Sequence, residues 1–178
     1  MFYFVFILSV IIVIQNASPA VPSGYLNMDA RKPEIVEEIV KIIPKKDTIT
    51  FTVVPRGIIL SVAQTELFDG NSDKISNCGK VLLAKIANLL RMFDNKCTIE
   101  AHTEEYIKNN KIYKEDWEIS IVRANAIAAY MVHELSVESE RIFPVGFGKI
   151  MPFRENVAPI NFPDNRIDFV IFDYAVHR

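Results

Sequence analysis

An α+β domain, with helices packed on one face of a mixed β-sheet, is what this chain predicts, and three features predict it. Alternating segments rich in β-branched residues begin at Asp47. Two helical apolar stripes come next, each leading into a short apolar strand. A last apolar run, residues 166–172, closes the order as two strands, two helix–strand units and a final strand.

Residues 47–54 (DTITFTVV) alternate and form the first strand. Pro55-Arg56-Gly57 is turn chemistry, and a second strand starts at Ile58 and runs on towards Glu66-Leu67-Phe68. Residues 69–73 (DGNSD) are a loop. Ser76 or Asn77 then caps a helix whose Leu82, Ile86, Leu89 and Phe93 share one face.

Residues 97–102 (CTIEAH) form a short buried strand, and residues 103–115 a polar loop. Asp116 caps a helix from Trp117 to about Leu135, with Ile119, Val122, Ala126 and Tyr130 facing inward. Residues 141–145 return as a strand that Gly146-Phe147-Gly148 breaks, residues 152–163 are a second long loop, and residues 166–172 (RIDFVIF) are the closing strand. Trp117 reads as a core or hinge aromatic, with stacking on a sugar as the other reading; Phe143, Phe147, Phe169 and Phe172 are assigned to the core, and His102 to a structural hydrogen bond with a neighbouring loop.

The chain has 178 residues, half of them apolar and 24% charged, which suits one globular domain. A net charge of −2 without a long Lys/Arg run gives no reason to expect a nucleic-acid partner. Cys78 and Cys97 lie at opposite ends of a predicted helix ~20 Å long, beyond the ~7 Å Cα reach of a disulfide. They read as two free, mostly buried thiols. His102, His133 and His177 show no metal-ligand spacing with each other or with the cysteines, so neither metal nor cofactor is expected.

Residues 1–14 (MFYFVFILSVIIVI) carry no charge. As a helix they would measure ~21 Å, against a hydrocarbon core of ~30 Å. Two readings stay open: a signal peptide, with Ala17-Ser18-Pro19-Ala20 offering small residues for cleavage, or an uncleaved anchor. Either puts the chain beyond about Val21 on the far side of the cytoplasmic membrane. The run contains no Asp or Glu to relay a proton within the bilayer. The organisation expected is an apolar anchor or signal segment at 1–16, a linker at 17–46, the folded domain at 47–173 and a tail at 174–178. Within the linker Ile35, Val36, Ile39, Val40 and Ile43 stand at helical spacing. That helix either packs on the domain or lies on a membrane or partner.

Four motifs then stand in order: Leu67-Phe68-Asp69 with its loop; Ala101-His102-Thr103-Glu104; residues 117–126 (WEISIVRANA); and Val145-Gly146-Phe147-Gly148 with Pro152, then Asn165-Arg166-Ile167-Asp168. Together they resemble the LFD…GS, GHTD, LSxxRA and VGYG…NRRID segments of OmpA-like peptidoglycan-binding domains. The resemblance covers about residues 47–173. Trp117 and the long loop before it are most similar to the flagellar stator branch, MotB, and the apolar run resembles the latter half of the MotB membrane helix.

The resemblance implies a non-catalytic domain that binds the diaminopimelate of peptidoglycan stem peptides. It also implies a periplasmic position, attachment to the inner membrane through the N-terminus, a homodimer and a MotA-like membrane partner. The alternative is a general envelope tether of the Pal/OmpA type without a motor partner. An ammonium calls for an acid and a carboxylate for a planar cation. Arg123 would supply a bidentate fork near a helix start. Glu104, in place of the family's Asp, would take the ammonium, with Glu105 able to substitute. Thr103, Asp69 and Arg166 are the remaining ligand-binding candidates. A hydrolase would need a nucleophile with its base, a zinc set or paired carboxylates. Ser120 has no His near it in sequence, and Glu104 and Glu105 are adjacent on a polar loop.

Overall fold

The structure, a computed structural model, describes residues 32–44, 46–70, 72–103, 115–150 and 162–175, with side chains to Phe172. Helix α1 (Lys32–Ile42) precedes strands β1 (Ile49–Val54) and β2 (Gly57–Ala63). A one-turn helix α2 (Gln64–Leu67) leads to α3 (Asn77–Met92) and β3 (Asn95–His102). Then come α4 (Asp116–His133), a 3-10 turn at Ser139–Arg141, β4 (Ile142–Gly148) and β5 (Arg166–Ala175).

The five strands form one sheet in the order β1-β2-β5-β3-β4. Only the β3–β4 pair is parallel, so the sheet is mixed. Its register sorts side chains by the two-residue period of a strand. Leu60, Phe169 and Ile99 stand opposite one another, and so do Ser61, Asp168 and Glu100 in the neighbouring row. The first row belongs to the apolar core with Leu83, Ile86, Ala124 and Ile127 of α3 and α4. The second row, on the other face, is polar. Helix α1 joins the core through Ile35, Val36 and Ile39, and Ile43 just after it does the same, which matches the packed reading of that segment.

Glycines set the closest approaches. A Cβ on Gly146 would lie 2.4 Å from the Ile121 backbone nitrogen, so α4 can sit against β4 only because that position is bare. Gly79 gives α3 the same access to α2, where a Cβ would meet the Leu67 carbonyl oxygen at 2.3 Å.

Several boundaries differ from expectation, each for a local reason. The second strand stops at Ala63, and residues 64–67 turn into α2; Gln64 N donates to Asn165 O at 3.0 Å and Phe68 bridges to Ile75. Gly146-Phe147-Gly148 does not break β4, because β3 pairs with it as far as Gly148 across a bulge. The α3 cap is Ser76, whose Oγ accepts from Gly79 N at 2.9 Å. Asp116 is not the α4 cap: Glu115 is, in a capping box with Glu118.

The inward face of α4 also differs. Ile119 is buried as expected, but with Ser120, Arg123, Ala124, Ile127 and Met131, while Val122, Ala126 and Tyr130 are only half-buried. Apolar spacing alone misses this rotation, since polar Ser120 and Arg123 occupy inner positions. Trp117 is 54% exposed and Phe143 is exposed, so neither belongs to the core; Phe147 and Phe172 are half-buried and Phe169 is fully buried. Both cysteines are free, yet Cys78 is exposed and only Cys97 is buried.

The apolar run at 1–14, Glu104, Glu105 and most of residues 152–163 lie outside the described residues. Among those described, no helix is long and apolar enough to cross a membrane.

Candidate functional site

All four sequence motifs meet at the C-terminal end of β3. Arg123, two turns into α4, turns inward and is only 4% exposed. Its Nε donates to Ser72 O at 3.1 Å, in the loop after Leu67-Phe68-Asp69. Its Nη1 donates to Gln64 Oε1. The guanidinium carbon stands 5.1 Å from the centre of the Phe68 ring, within cation–π range. Both acceptors are neutral, so these two bonds orient the guanidinium without cancelling its charge. Arg123 is thus buried, and its fork is held from inside rather than presented on open surface.

Gln64 completes the link. Its Nε2 donates to His102 O at 2.7 Å and to Thr103 Oγ1 at 3.1 Å. Thr103, buried, is pinned from its other side by its N–H donating to Gly148 O at 3.0 Å. The structure thus brings Arg123, Thr103 and the 69–75 loop together. Asp69 itself is exposed, and its backbone shapes that loop: its N–H donates to Lys74 O, and its carbonyl accepts from Ser72 Oγ at 2.8 Å.

Arg166 takes a different place. It is buried, with Nε donating to Asp168 Oδ2 at 3.0 Å and Nη1 to Asp164 O at 3.4 Å. Asp168 Oδ2 also lies 3.2 Å from His102 Nε2, and the His102 ring stacks on Phe147 at 5.2 Å. His102 is structural, as expected, and its ring reaches Asp168 on the polar sheet face. Burial pushes the Asp168 carboxyl up; the contacts with His102, Arg166 and Ser61 outweigh this and hold it below its ordinary value. Burial raises the Glu100 carboxyl, with Arg56 opposing and Asp168 reinforcing the shift.

Glu100, His102 and Asp168 bring three donor atoms within 4.8 Å of one another, a grouping their sequence positions do not reveal. The chemistry of the set suits a cation poorly. Arg56 Nη2 lies 3.5 Å from Glu100 and Arg166 Nε 3.0 Å from Asp168, so two guanidiniums already face the two carboxylates. It is an ion-pair ladder across β3 and β5.

Ser120 is fully buried. Its Oγ donates to Trp117 O at 2.8 Å and accepts from Gly148 N at 3.0 Å, joining α4 to β4. Gln64 and Ser72 are the site residues that sequence reading missed. The available signal for Gln64 was a polar residue directly after the apolar β2 run and just before the Leu67-Phe68-Asp69 motif.

A mixed sheet with helices on one face, and a helix-borne arginine buried against the end of β3, define an OmpA-like domain. The profile of the OmpA family matches residues 67–166, and the chain belongs to that family. The Bacillus subtilis protein YtxE is 29% identical over 117 residues, 65% of this chain and 48% of YtxE. The chain thus spans about half the length of this relative. Its fold matches that of a MotB-like protein from Desulfovibrio vulgaris with a TM-score of 0.72 at 19% identity, covering 86% of this chain and 98% of the other. It also matches the cell wall anchor of the T6SS from Pseudomonas aeruginosa, with a TM-score of 0.64 at 18% identity over 81% and 98% of the two chains.

Proposed function

We propose that this domain binds cell-wall peptidoglycan without catalysis and anchors a membrane complex to it. The observation that carries the reading is the convergence of Arg123, Thr103 and the Asp69 loop at the end of β3. A buried, oriented guanidinium is suited to a carboxylate because hydrogen bonds between ions are shorter and stronger than neutral ones. In this reading Arg123 receives the carboxylate of stem-peptide diaminopimelate, and Glu104 or Glu105, on the chain just past Thr103, receives its ammonium. Thr103 and Asp69 border the site. Arg166, engaged with Asp168, acts through charge at most. No cofactor takes part.

The named neighbours support anchoring: one is MotB-like, the other a cell wall anchor. We favour a stator-type subunit of a flagellar motor. It would be dimeric, held in the inner membrane by the apolar N-terminus with its folded domain periplasmic, beside a MotA-like protein. The second reading, an envelope tether, rests on membership of the OmpA family.

Sedimentation of the full chain with purified sacculi tests binding: wild type is expected in the pellet, and Arg123→Ala in the supernatant. Equal pelleting of a folded Arg123→Ala chain overturns the site. Recovery of a polytopic MotA-like protein on purification favours the motor, and its absence the tether.

A further inference from the structure

We propose that Gln64 is a positioning residue that makes the Arg123 site selective for a free carboxylate, an inference that rests on the peptidoglycan reading above. Gln64 is 6% exposed and bonded in opposite directions. Its Oε1 accepts from Arg123 Nη1, while its Nε2 donates to His102 O at 2.7 Å and to Thr103 Oγ1 at 3.1 Å. Its backbone N–H is fixed on Asn165 O at 3.0 Å. The partners dictate the amide orientation: a flipped group would set NH2 against a guanidinium and an oxygen against a carbonyl.

Few side chains meet this demand. Leucine fills similar space but leaves Arg123 Nη1 and His102 O without these bonds, and unmet buried groups are costly. Glutamate would offer an acceptor to Arg123, yet its second oxygen would face the His102 carbonyl, and its charge would neutralise the guanidinium. Asparagine is one methylene too short to bridge α4 and β3. The carboxamide fixes the guanidinium at a set distance from the β3 end and brings no negative charge of its own. Gln64 therefore takes nothing from the cation's attraction for an anionic ligand.

The test uses two soluble diaminopimelate muropeptides, one with the free carboxylate and one with it amidated, titrated against the full chain. Wild type is expected to prefer the free acid by about tenfold or more, the scale of one charge-assisted hydrogen bond. Gln64→Leu and Gln64→Glu are each expected to bring that ratio close to one, as Arg123→Ala does. A purely structural role would weaken both ligands by the same factor and leave the ratio unchanged, which overturns the proposal. An unchanged ratio in Gln64→Leu together with a lost ratio in Arg123→Ala overturns the role of Gln64 alone. A wild-type ratio retained by Arg123→Ala overturns the binding reading itself. Should the Gln64 variants fail to fold, NMR of the wild-type Arg123 guanidinium decides: hindered rotation, with separate Nη signals, supports the clamp, and averaged signals overturn it.

Discussion

Arg123 is hydrogen-bonded to Gln64, a residue 59 positions earlier in the chain, and both lie buried between α4 and the end of β3. The same Gln64 side chain reaches Thr103, so a helix, a one-turn helix and a strand end are tied at one point. Rigidity of this kind favours a binding site, because ordering the cation in advance reduces what association must order.

Arg123→Lys keeps the charge but loses the planar fork. It cannot satisfy Ser72 O and Gln64 Oε1 in their present directions. Stability is expected to fall by about 1–3 kcal/mol, the cost of leaving buried polar groups unmet. Urea unfolding with an unchanged m-value checks this.

Gly146→Ala is expected to destabilise by roughly 1–3 kcal/mol or more, because its Cβ would overlap the α4 backbone at Ile121. Gly70→Ala is the contrast. Nothing lies within 4 Å of its Cβ, and its cost is limited to the left-handed backbone at φ 58°, about 1–2 kcal/mol. Thermal unfolding of the two variants should rank them in that order.

The polar sheet face carries two carboxyls with opposite pH dependence. Asp168 is held below its ordinary value, so its contribution is present above about pH 4 and is lost as pH falls through its folded value. Glu100 is raised, so its contribution is present below about pH 4 and is lost as pH rises through its folded value. Asp168→Asn should therefore destabilise more at pH 7 than at pH 3. Glu100→Gln should be better tolerated at pH 7 than at pH 4. Melting curves across pH 3–7 separate the two.

Cys78 is exposed, whereas Cys97 is fully buried and its thiol is pushed up to about 12 by burial, with Glu100 adding to the shift. Thiolate is the reactive form. A thiol reagent at neutral pH should therefore label one cysteine per native chain and both after unfolding. Peptide mapping checks that the native label is on Cys78.

The helix-on-sheet architecture was legible because long stripes such as Leu82–Ile86–Leu89 and alternating strands such as residues 49–54 carry their period on the surface of the sequence. Motif order also assigned Arg123, Thr103 and the Asp69 loop to one site. The parts that stayed hidden depend on tertiary contact. Gln64 read as part of a continuing strand, since nothing local shows that Asn165 and Arg123 await it. The inward turn of Arg123 contradicts hydrophobic patterning, which assigned that face to Val122 and Ala126. Arg166, which motif order gives as a ligand contact, is buried and donates to Asp168, a partner two residues along the same strand that the motif does not reveal.

Calorimetric titration of the full chain with a soluble diaminopimelate tripeptide muropeptide is the most direct check on Arg123 as the ligand's anchor. Saturable one-site binding by the wild-type chain, and none by an equally folded Arg123→Ala chain, is the expected pair of results. Equal affinity in both, or no binding by the wild-type chain, would contradict the account.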